Sequence, residues 1–226
     1  MNIILLGAPG SGKGTQAALL SEKFNLQHIS TGELCRKEVS KGTTLGSKLA
    51  EIMKAGQLIP DILIIDILKQ HLVESSKSIK GFIFDGFPRT ISQAKDLDHL
   101  LADLKLTIAH VIQINVDKNY IVSRLSSRTS CAKCGHVYND KTSPTLVSGV
   151  CDKCGSTEFI HRQDDNEEII LKRLDVYSTL TAPLIPYYQG MGKLHQIDGN
   201  TDVETVSNRI ENLLNADKVS PKSASV

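Results

Sequence analysis

A glycine-rich segment near the N-terminus carries the clearest chemistry in the sequence. It reads GAPGSGKGT over residues 7–15 and directly follows the apolar run 2–6. Glycines at this spacing let successive backbone N–H groups surround a phosphate, and the N-terminus of a following helix adds partial positive charge. Lys13 can reach the β- and γ-phosphates of a nucleoside triphosphate. The segment therefore predicts a phosphate-binding loop.

The residue after this lysine departs from the general phosphate-binding loop. That loop has Ser or Thr there as a magnesium ligand, whereas this sequence has Gly14 followed by Thr15. Mg²⁺ gives up its waters reluctantly, so phosphate oxygens and water can supply most of its ligands. We expect Asp85, which ends the apolar run 82–84, to organise this water shell. The alternative is a loop aspartate that caps the next helix.

Six arginines lie next to strand ends or predicted inserts. Phosphoryl transfer asks for positioning and positive charge around the transferring group more than for covalent chemistry, and no general base is evident. A solvated surface role is the default for any single arginine, so the argument depends on the set. Its members are Arg36, Arg89, Arg124, Arg128, Arg162 and Arg173.

Four of the five cysteines form two Cys-x-x-Cys pairs, Cys131 with Cys134 and Cys151 with Cys154, sixteen residues apart. This spacing predicts a structural zinc site with four thiolate ligands and no open position for catalysis. The metal would stabilise a short insert that cannot bury a core of its own. Four unmetallated thiols, or iron in the same site, are the alternatives. Cys35 stands apart, and we expect it to be buried as a small apolar residue.

Short apolar runs alternate with helical patterns along the chain. The runs predicted as strands are residues 2–6, 81–84, 109–116 and 194–197. The predicted helices are residues 15–24, 62–73, 93–104, 119–125, 168–188 and 203–214. This alternation predicts an α/β fold with a central parallel sheet. Ligands of such sheets bind beyond the carboxyl ends of the strands, so Gly7, Asp85 and Asp198 should converge.

Two segments interrupt the alternation and are interpreted as inserts. Residues 30–59 contain two short helical patterns and no strand, and Ser30 with Glu33 forms a plausible capping box. Residues 125–162 are rich in loops and contain the cysteine pairs. The remaining core comprises residues 1–29, 60–124 and 163–214. We expect residues 215–226 to be disordered, because the tail lacks hydrophobic periodicity.

Composition narrows the class of protein. The 226 residues suit one domain with small inserts, and 40% of them are apolar. The 26 basic and 25 acidic residues argue against a general nucleic-acid or membrane-surface binder. We find no apolar run of about 20 residues and no signal-peptide pattern. The odd cysteine count argues against a disulfide framework. These features favour the cytoplasm.

Five motifs together resemble adenylate kinase of the long bacterial type, which has a zinc-binding lid. They are GAPGSGKGT at 7–15, Ser30-Thr31-Gly32, DGFPRT at 85–90, Arg162-x-Asp164-Asp165 and TAPLIPYY at 181–188. The resemblance extends from residue 2 to about 214. It implies a P-loop nucleoside triphosphate hydrolase-like fold and the reversible, Mg²⁺-dependent reaction of ATP with AMP to give two ADP. It also implies an AMP-binding insert at 30–59, a mobile zinc-binding lid at 125–162, and a monomer with no nucleic-acid or membrane partner.

The resemblance further implies which residues face each nucleotide. The ATP-binding set is Gly10, Ser11, Gly12, Lys13, Gly14, Thr15, Arg124, Arg128, Val137, Tyr138 and Thr201. The AMP-binding set is Thr31, Arg36, Gln57, Leu58, Ile59, Gly86, Phe87, Pro88, Arg89, Gln93, Arg162 and Arg173. The catalytic set is Lys13, Asp85, Arg89, Arg128, Arg162 and Arg173. Gln93 is expected to read the adenine edge.

Two other functions stay open at this point. The acceptor could be another monophosphate, such as UMP, CMP or GMP. Alternatively, the cysteine-bearing insert could bind RNA, since residues 124–162 hold three more basic than acidic residues. The insert offers only Tyr138 and Phe159 as platforms for stacked bases, and therefore we prefer the lid interpretation.

Overall fold

The computed structural model describes residues 1–74, 79–162 and 164–219. Its strands are β1 (Asn2–Leu6), β2 (Gln27–Ser30), β3 (Phe82–Asp85), β4 (Ile108–Asn115), β5 (Arg128–Cys131), β6 (Val137–Asn139), β7 (Phe159–Ile160) and β8 (Leu194–Asp198). Its helices are α1 (Lys13–Phe24), α2 (Thr31–Ser40), α3 (Thr44–Lys54), α4 (Asp61–Glu74), α5 (Ile91–Asp103), α6 (Lys118–Ser126), α7 (Glu167–Val176), α8 (Leu184–Gly190) and α9 (Val203–Val219).

The central sheet has the order β2-β3-β1-β4-β8, with every neighbouring pair parallel. The predicted parallel α/β fold is thereby confirmed. Strand β2 was not predicted, because its sequence QHIS lacks an apolar run. It lies at the edge of the sheet, where only Ile29 is buried and polar neighbours are tolerated. Ser30, which was predicted to begin the first insert, is the last residue of β2. Residues 31–59 contain the two helices α2 and α3 and no strand.

Apolar side chains cover both faces of this sheet. On one face, residues such as Ile4 and Phe84 pack with α2 to α5, including Leu49, Leu68 and Leu97. The opposite face packs against α1 and α9, in a cluster that comprises Ile3, Leu5, Ala17, Leu20, Leu26, Ile83, Ile112, Ile114, Ile197, Val206, Ile210 and Leu214. The alternation of neighbouring β1 residues between two cores explains the unbroken apolar run. The edge formed by the strand ends is thus held rigidly.

The helix predicted over 168–188 is interrupted. Helix α7 ends at Val176, a π-helical turn occupies Tyr177–Thr181, and α8 begins at Leu184. Pro183 has no backbone N–H to donate to the preceding turn, and Ala182 N instead bonds Tyr177 O at 2.8 Å. The interruption therefore follows from the proline, which the helical periodicity concealed.

The C-terminal helix runs further than predicted. Helix α9 continues to Val219, past the expected boundary at residue 214. No glycine or proline occurs in residues 215–219 to end it. The expectation of disorder is therefore wrong for residues 215–219, and residues 220–226 lie outside the described part of the chain. Among the described residues, no helix combines the length and the apolar character needed to cross a bilayer.

The cysteine-bearing insert forms a separate three-stranded antiparallel sheet with the order β6-β5-β7. Its buried cluster is small and consists of Cys131, Tyr138 and Cys151, with Cys154 and Phe159 packed against it. So few apolar side chains contribute little burial free energy, which agrees with the expectation that the insert needs a metal.

Candidate active site

The carboxyl ends of β1 and β3 meet at the glycine-rich loop. Leu5 pairs with Asp85 across the two strands, and a Cβ atom placed on Gly14 would lie 3.4 Å from Oδ2 of Asp85. Gly7 and Asp85 line one cleft, as predicted. Asp198 does not line it, because β8 lies at the far edge of the sheet. Its carboxylate instead pairs with Arg209 and accepts from Asn200.

The glycine-rich loop folds back on its lysine. Lys13 Nζ donates to Gly7 O at 2.7 Å and to Ala8 O at 2.8 Å. Burial lowers the pKa of Lys13 to about 8, although the nearby Asp85 carboxylate opposes the shift. Gly12 occupies the N-cap position of α1 and supplies no side-chain cap. The uncapped helix end and the lysine line the same cleft, which suits the binding of an anion there.

Asp85 is buried beside this loop and stays ionised. Its Oδ2 atom lies 3.3 Å from Nε2 of His28, which stands on β2. Burial alone would raise the pKa of the carboxyl group. The hydrogen bond from His28 and the charge of Lys13 outweigh it, so the pKa lies below its ordinary value. The sequence analysis missed His28, whose only signal was its position two residues before Ser30 at the end of an unpredicted strand.

Carboxylates hold the guanidinium groups around the cleft. Asp165 accepts two hydrogen bonds from Arg128, one of them at 2.7 Å from Nε. Arg173 Nη1 lies 2.8 Å from Oδ2 of Asp164 and donates to the Asp164 carbonyl oxygen at 3.1 Å. The Asp-Asp motif thus orients one arginine from the cysteine-bearing insert and one from α7.

A third carboxylate, that of Glu33, bridges two further arginines. Oε1 of Glu33 accepts from Arg36 at 2.6 Å and from Arg162 at 3.1 Å. Burial, together with the charges of Arg128 and Arg36, lowers the pKa of Arg162 to about 10. Arg89 is anchored differently, since its Nε donates to Gly86 O at 2.8 Å. Several cationic side chains are thus gathered around the cleft, which favours the binding of an anion there.

Most of the predicted ATP-binding residues line the main cleft, which has a volume of about 870 Å³. Those that line it are Gly10, Gly12, Lys13, Gly14, Thr15, Arg124, Arg128, Val137 and Tyr138. Ser11, within the same loop, is buried and does not line the cleft. Thr201 does not line the cleft either, and its Oγ1 atom is buried without a hydrogen-bond partner among the described residues. Val203, which was not predicted, lies at the wall of the cleft.

A smaller pocket adjoins the cleft and contains most of the predicted AMP-binding residues. They are Thr31, Arg36, Gln57, Leu58, Ile59, Gly86, Phe87, Arg89, Gln93 and Arg173. Pro88 and Arg162 line the main cleft only. The sequence analysis missed five further lining residues, namely Gly32, Met53, Gly56, Ile64 and Asp164. Arg36, Arg89 and Arg173 line both spaces, so the two pockets meet at guanidinium groups.

The four clustered cysteines form a candidate metal centre. Their Sγ atoms all lie within 4.8 Å of one another, and those of Cys131 with Cys154 and of Cys134 with Cys151 are 3.6 Å apart. Four thiolates at the usual Zn–S distance of about 2.3 Å would be separated by about 3.8 Å, so the donor set and its size fit zinc. Gly135 N donates to Cys131 O, and Gly155 N donates to Cys151 O. The two Cys-x-x-Cys-Gly turns therefore have the same backbone hydrogen bond.

Tyr138 connects this centre to the main cleft. Its hydroxyl donates to Cys151 Sγ at 3.3 Å and accepts from Asp152 N at 2.8 Å. The hydrogen bond from Tyr138 is the main cause that lowers the pKa of Cys151 to about 6. The side chain is 4% exposed, and it also lines the cleft beside Val137. Tyr138 therefore supports the cysteine cluster as well as the cleft wall.

A phosphate-binding loop that opens toward a second, arginine-lined pocket is typical of P-loop phosphotransferases that act on nucleoside monophosphates. The family model described as "Adenylate kinase" matches residues 5–193. The chain belongs to the adenylate kinase family.

Several curated relatives are similar over almost their whole length. An adenylate kinase of Paramagnetospirillum magneticum is 45% identical over 218 residues, which is 96% of this chain and 100% of the relative. An adenylate kinase of Geobacter sp. (strain M21) is 46% identical and covers 93% of this chain and 97% of its own. An adenylate kinase of Methanothrix thermoacetophila is 47% identical, with 95% of this chain and 98% of its own covered.

Proposed function

We propose that this chain is an adenylate kinase that transfers the terminal phosphoryl group of ATP to AMP, reversibly and with Mg²⁺, to give two ADP. The observation that carries the proposal is the sharing of Arg36, Arg89 and Arg173 by the two adjoining pockets. A donor phosphate in one pocket and an acceptor phosphate in the other would meet between these side chains. Family membership and relatives at 45–47% identity agree with this activity.

The donor nucleotide belongs in the main cleft. The uncapped start of α1 and the ammonium of Lys13 supply charge for the β- and γ-phosphates. Arg124 is placed to contact them, because a Cβ atom on Gly12 would lie 3.9 Å from its Nη2. Val137 and Tyr138 then lie on the wall that faces the rest of the nucleotide. We retain Ser11 as a loop residue, while Thr201 needs a local rearrangement to reach the cleft.

AMP belongs in the smaller pocket. Thr31 donates to Gly86 O at 2.9 Å and fixes the strand end that forms one wall. The segment Gln57 to Ile59 and the side chain of Phe87 form apolar or backbone surfaces suited to a purine. Arg36 and Arg89 lie at the end that opens into the main cleft, where the phosphate of AMP would sit.

Catalysis by these residues is mainly electrostatic. Phosphoryl transfer places negative charge on the transferring group and needs little covalent assistance. In our proposal, Lys13, Arg89, Arg128, Arg162 and Arg173 surround that group. The carboxylates keep the arginines that they pair with oriented before the nucleotides bind. In the complex, phosphate oxygens would take the place of these carboxylates as partners of the arginines. Holding donor and acceptor in line supplies much of the rate enhancement.

Mg²⁺ fits beside Asp85. The buried, ionised carboxylate lies close to Gly14 at the loop, and an oxygen ligand or a water-binding carboxylate is what this hard cation requires. When bound, the ion would neutralise phosphate charge. Asp85 would hold its waters, and His28 would keep the carboxylate in place.

We assign residues 30–59 to an AMP-binding insert and residues 125–162 to a mobile lid with structural zinc. Closing the lid over the cleft would exclude water, which protects ATP from hydrolysis and strengthens arginine–phosphate contacts.

We also propose a monomer, because one chain supplies both pockets. The four free thiols of the metal centre require reducing conditions, which fits the cytoplasm.

The test is a coupled assay of ADP formation from ATP and Mg²⁺ with AMP, UMP, CMP or GMP as acceptor. We expect AMP to give the highest kcat/KM. Arg89→Ala should lower kcat by at least about 100-fold, because a donor to the transition-state charge is lost. The matched control is Arg209→Ala, which removes an exposed arginine of α9 and should leave the rate unchanged. Preference for another acceptor, or near-normal turnover of Arg89→Ala, would contradict the proposal.

A further inference from the structure

We propose that Asp61 is a specificity-determining residue, which holds the side-chain amide of Gln93 in the one orientation that matches a 6-aminopurine acceptor and mismatches a 6-oxopurine. The inference rests on the proposed function, in which the pocket beside Gln93 takes the base of the acceptor. It concerns a residue that does not line that pocket and acts through one that does.

The amide of Gln93 is fixed at both ends. Its Nε2 donates to Asp61 Oδ1 at 2.7 Å, and its Oε1 accepts from Arg89 N at 2.7 Å. A carboxylate oxygen accepts and a backbone N–H donates, so neither partner tolerates the flipped amide. The Nε2 and Oε1 atoms of an amide have nearly the same shape, but here the hydrogen-bond partners assign which atom is which.

The position of Gln93 is fixed as well. It lies in the first turn of α5, where its backbone N donates to Thr90 Oγ1 at 3.1 Å, and its side chain is only 2% exposed. Asp61 is the first residue of α4, between the pocket-lining residues Ile59 and Ile64. The contact thus joins two helix starts that are 32 residues apart, directly behind the wall of the pocket.

The hydrogen-bonding capacity that remains on Gln93 can distinguish purines. A primary amide has two N–H donors and two acceptor lone pairs, and the contacts to Asp61 and Arg89 use one of each. The remaining N–H and lone pair can bind adenine as a pair, with the N–H on a ring nitrogen and the oxygen on the exocyclic amine. Hypoxanthine has a carbonyl oxygen at position 6 and an N–H at position 1, so it presents the opposite pattern.

Asp61 holds the Nε2 end of the amide and, together with the backbone N–H of Arg89, keeps the amide from rotating to suit that opposite pattern. With Asp61→Asn, the new amide can accept from Nε2 or donate to Oε1, so the size is kept but the constraint is lost. Only the N–H of Arg89 would then favour the original orientation. Buried polar groups left with a mismatched partner are what give such sites their selectivity.

The experiment measures kcat/KM with AMP and with IMP for the wild-type enzyme, Asp61→Asn and Asp61→Ala. We expect the AMP-to-IMP ratio to fall by about 5- to 100-fold in both variants, since a paired amide–base contact discriminates by about 1–3 kcal/mol. The change should appear in KM more than in kcat. Asp66→Asn, an exposed charge on the same helix, is the control and should keep the ratio. An unchanged ratio in both Asp61 variants would overturn the proposal.

A double-mutant cycle separates positioning from general stability. In the Gln93→Ala background, Asp61→Ala should have no further effect on the AMP-to-IMP ratio, because the group it orients is gone. A persisting effect would show that Asp61 acts by another route and would overturn the proposal. A wild-type enzyme that makes no ADP from ATP and AMP would instead overturn the proposed function.

A measurement on the wild-type protein covers the case in which the Asp61 variants fail to fold. The NMR signals of the Gln93 side-chain NH₂ group can be assigned by their loss in Gln93→Ala. We expect slow solvent exchange and proton shifts displaced from those of an exposed glutamine in the absence of nucleotide. Rapid exchange with shifts typical of an exposed amide would mean that Asp61 does not hold the group, and the inference would be wrong.

Discussion

Nη2 of Arg162 lies 3.1 Å from Oε1 of Glu33, so the residue that ends the proposed lid is ion-paired with the first turn of α2. The same oxygen accepts from Arg36 at 2.6 Å. One carboxylate thus occupies two arginines that we assign to the acceptor phosphate. Ser30 accepts from Glu33 N at 3.4 Å, so half of the predicted capping box forms while the Glu33 side chain turns to the arginines.

Glu33→Gln should therefore tighten AMP binding. The neutral amide competes less well with phosphate for Arg36 and Arg162, and an ion pair with a partly exposed carboxylate is worth about 0.2–1 kcal/mol, so we expect a 2- to 5-fold lower Kd. Isothermal titration calorimetry with AMP at two ionic strengths measures the Kd of both proteins. Glu38→Gln removes a carboxylate of the same helix that pairs with Lys41 and serves as the control. Weaker AMP binding in Glu33→Gln would show that the carboxylate supports the bound state instead.

Binding of ATP should depend on the charge of Lys13. Burial holds the pKa of this side chain at about 8, below its ordinary value, so the free enzyme loses the ammonium as the pH rises through 8. Phosphates are fully ionised in that range, since their second pKa is about 6. We expect kcat/KM for ATP to fall above pH 8 while kcat stays level to higher pH, because bound phosphate stabilises the charged lysine.

The same depressed pKa has a stability consequence of the opposite sign. Between pH 8 and the ordinary pKa of lysine, the unfolded chain binds more protons at Lys13 than the folded chain does. The contribution of Lys13 to the free energy of unfolding therefore rises with pH in this window. Lys13→Met removes the titration, so the free energy of unfolding of the wild-type protein minus that of Lys13→Met, both from urea denaturation, should rise from pH 8 to pH 10 as the cost of burying the ammonium is relieved. A difference that does not change with pH would contradict the assigned burial.

Metal removal should act on the cysteine-bearing insert first. Cys134→Ser replaces one of four thiolates, and we expect it to lower the zinc content and the thermal midpoint. Each kcal/mol lost corresponds to about 2–4 °C for a chain of this size. Cys35→Ala, in the buried core cluster of the sheet, is the control and should keep one metal per chain. Metal content by plasma mass spectrometry, alongside calorimetry, gives the result, and unchanged zinc in Cys134→Ser would refute the site.

Sites built from residues that are close together along the chain could be predicted from the sequence. The glycine-rich loop and the paired cysteines are recognisable because their spacing along the chain is itself the structural requirement. The ion pair of Glu33 with Arg162 and the contact of His28 with Asp85 could not be predicted in this way. Their partners are 129 and 57 residues apart, and only the fold brings them together.

Local patterns also failed where neighbouring elements decide the outcome. Strand β2 forms because β3 offers it an edge, although QHIS has little strand character of its own. Asp198 ends a correctly predicted strand, yet that strand is the last in the sheet and its end lies away from the cleft. The convergence rule holds for the adjacent strands β1 and β3, and it fails for β8, which β4 separates from β1.

Gly86 should be intolerant of a side chain for two separable reasons. Its φ angle is +80°, which disfavours any residue with a Cβ atom, and a Cβ there would lie 2.9 Å from Thr31 Oγ1 and 3.3 Å from Arg89 Nη2. Gly42 has a similar φ of +68° but open space around it. Gly42→Ala therefore measures the backbone cost alone, about 1–2 kcal/mol of stability with unchanged turnover.

Gly86→Ala adds crowding at the wall of the AMP pocket to the same backbone cost. The contacts from Thr31 and Arg89 to the carbonyl oxygen of Gly86, at 2.9 and 2.8 Å, would have to lengthen or rotate. Because a displacement of about 1 Å can cost about 100-fold in rate, we expect kcat/KM for AMP to fall much further than stability does. The free energy of unfolding from urea denaturation and kcat/KM for AMP are measured for both variants and compared. Equal kinetic losses in the two alanine variants would mean that backbone strain, and not the position of Arg89, controls the acceptor site.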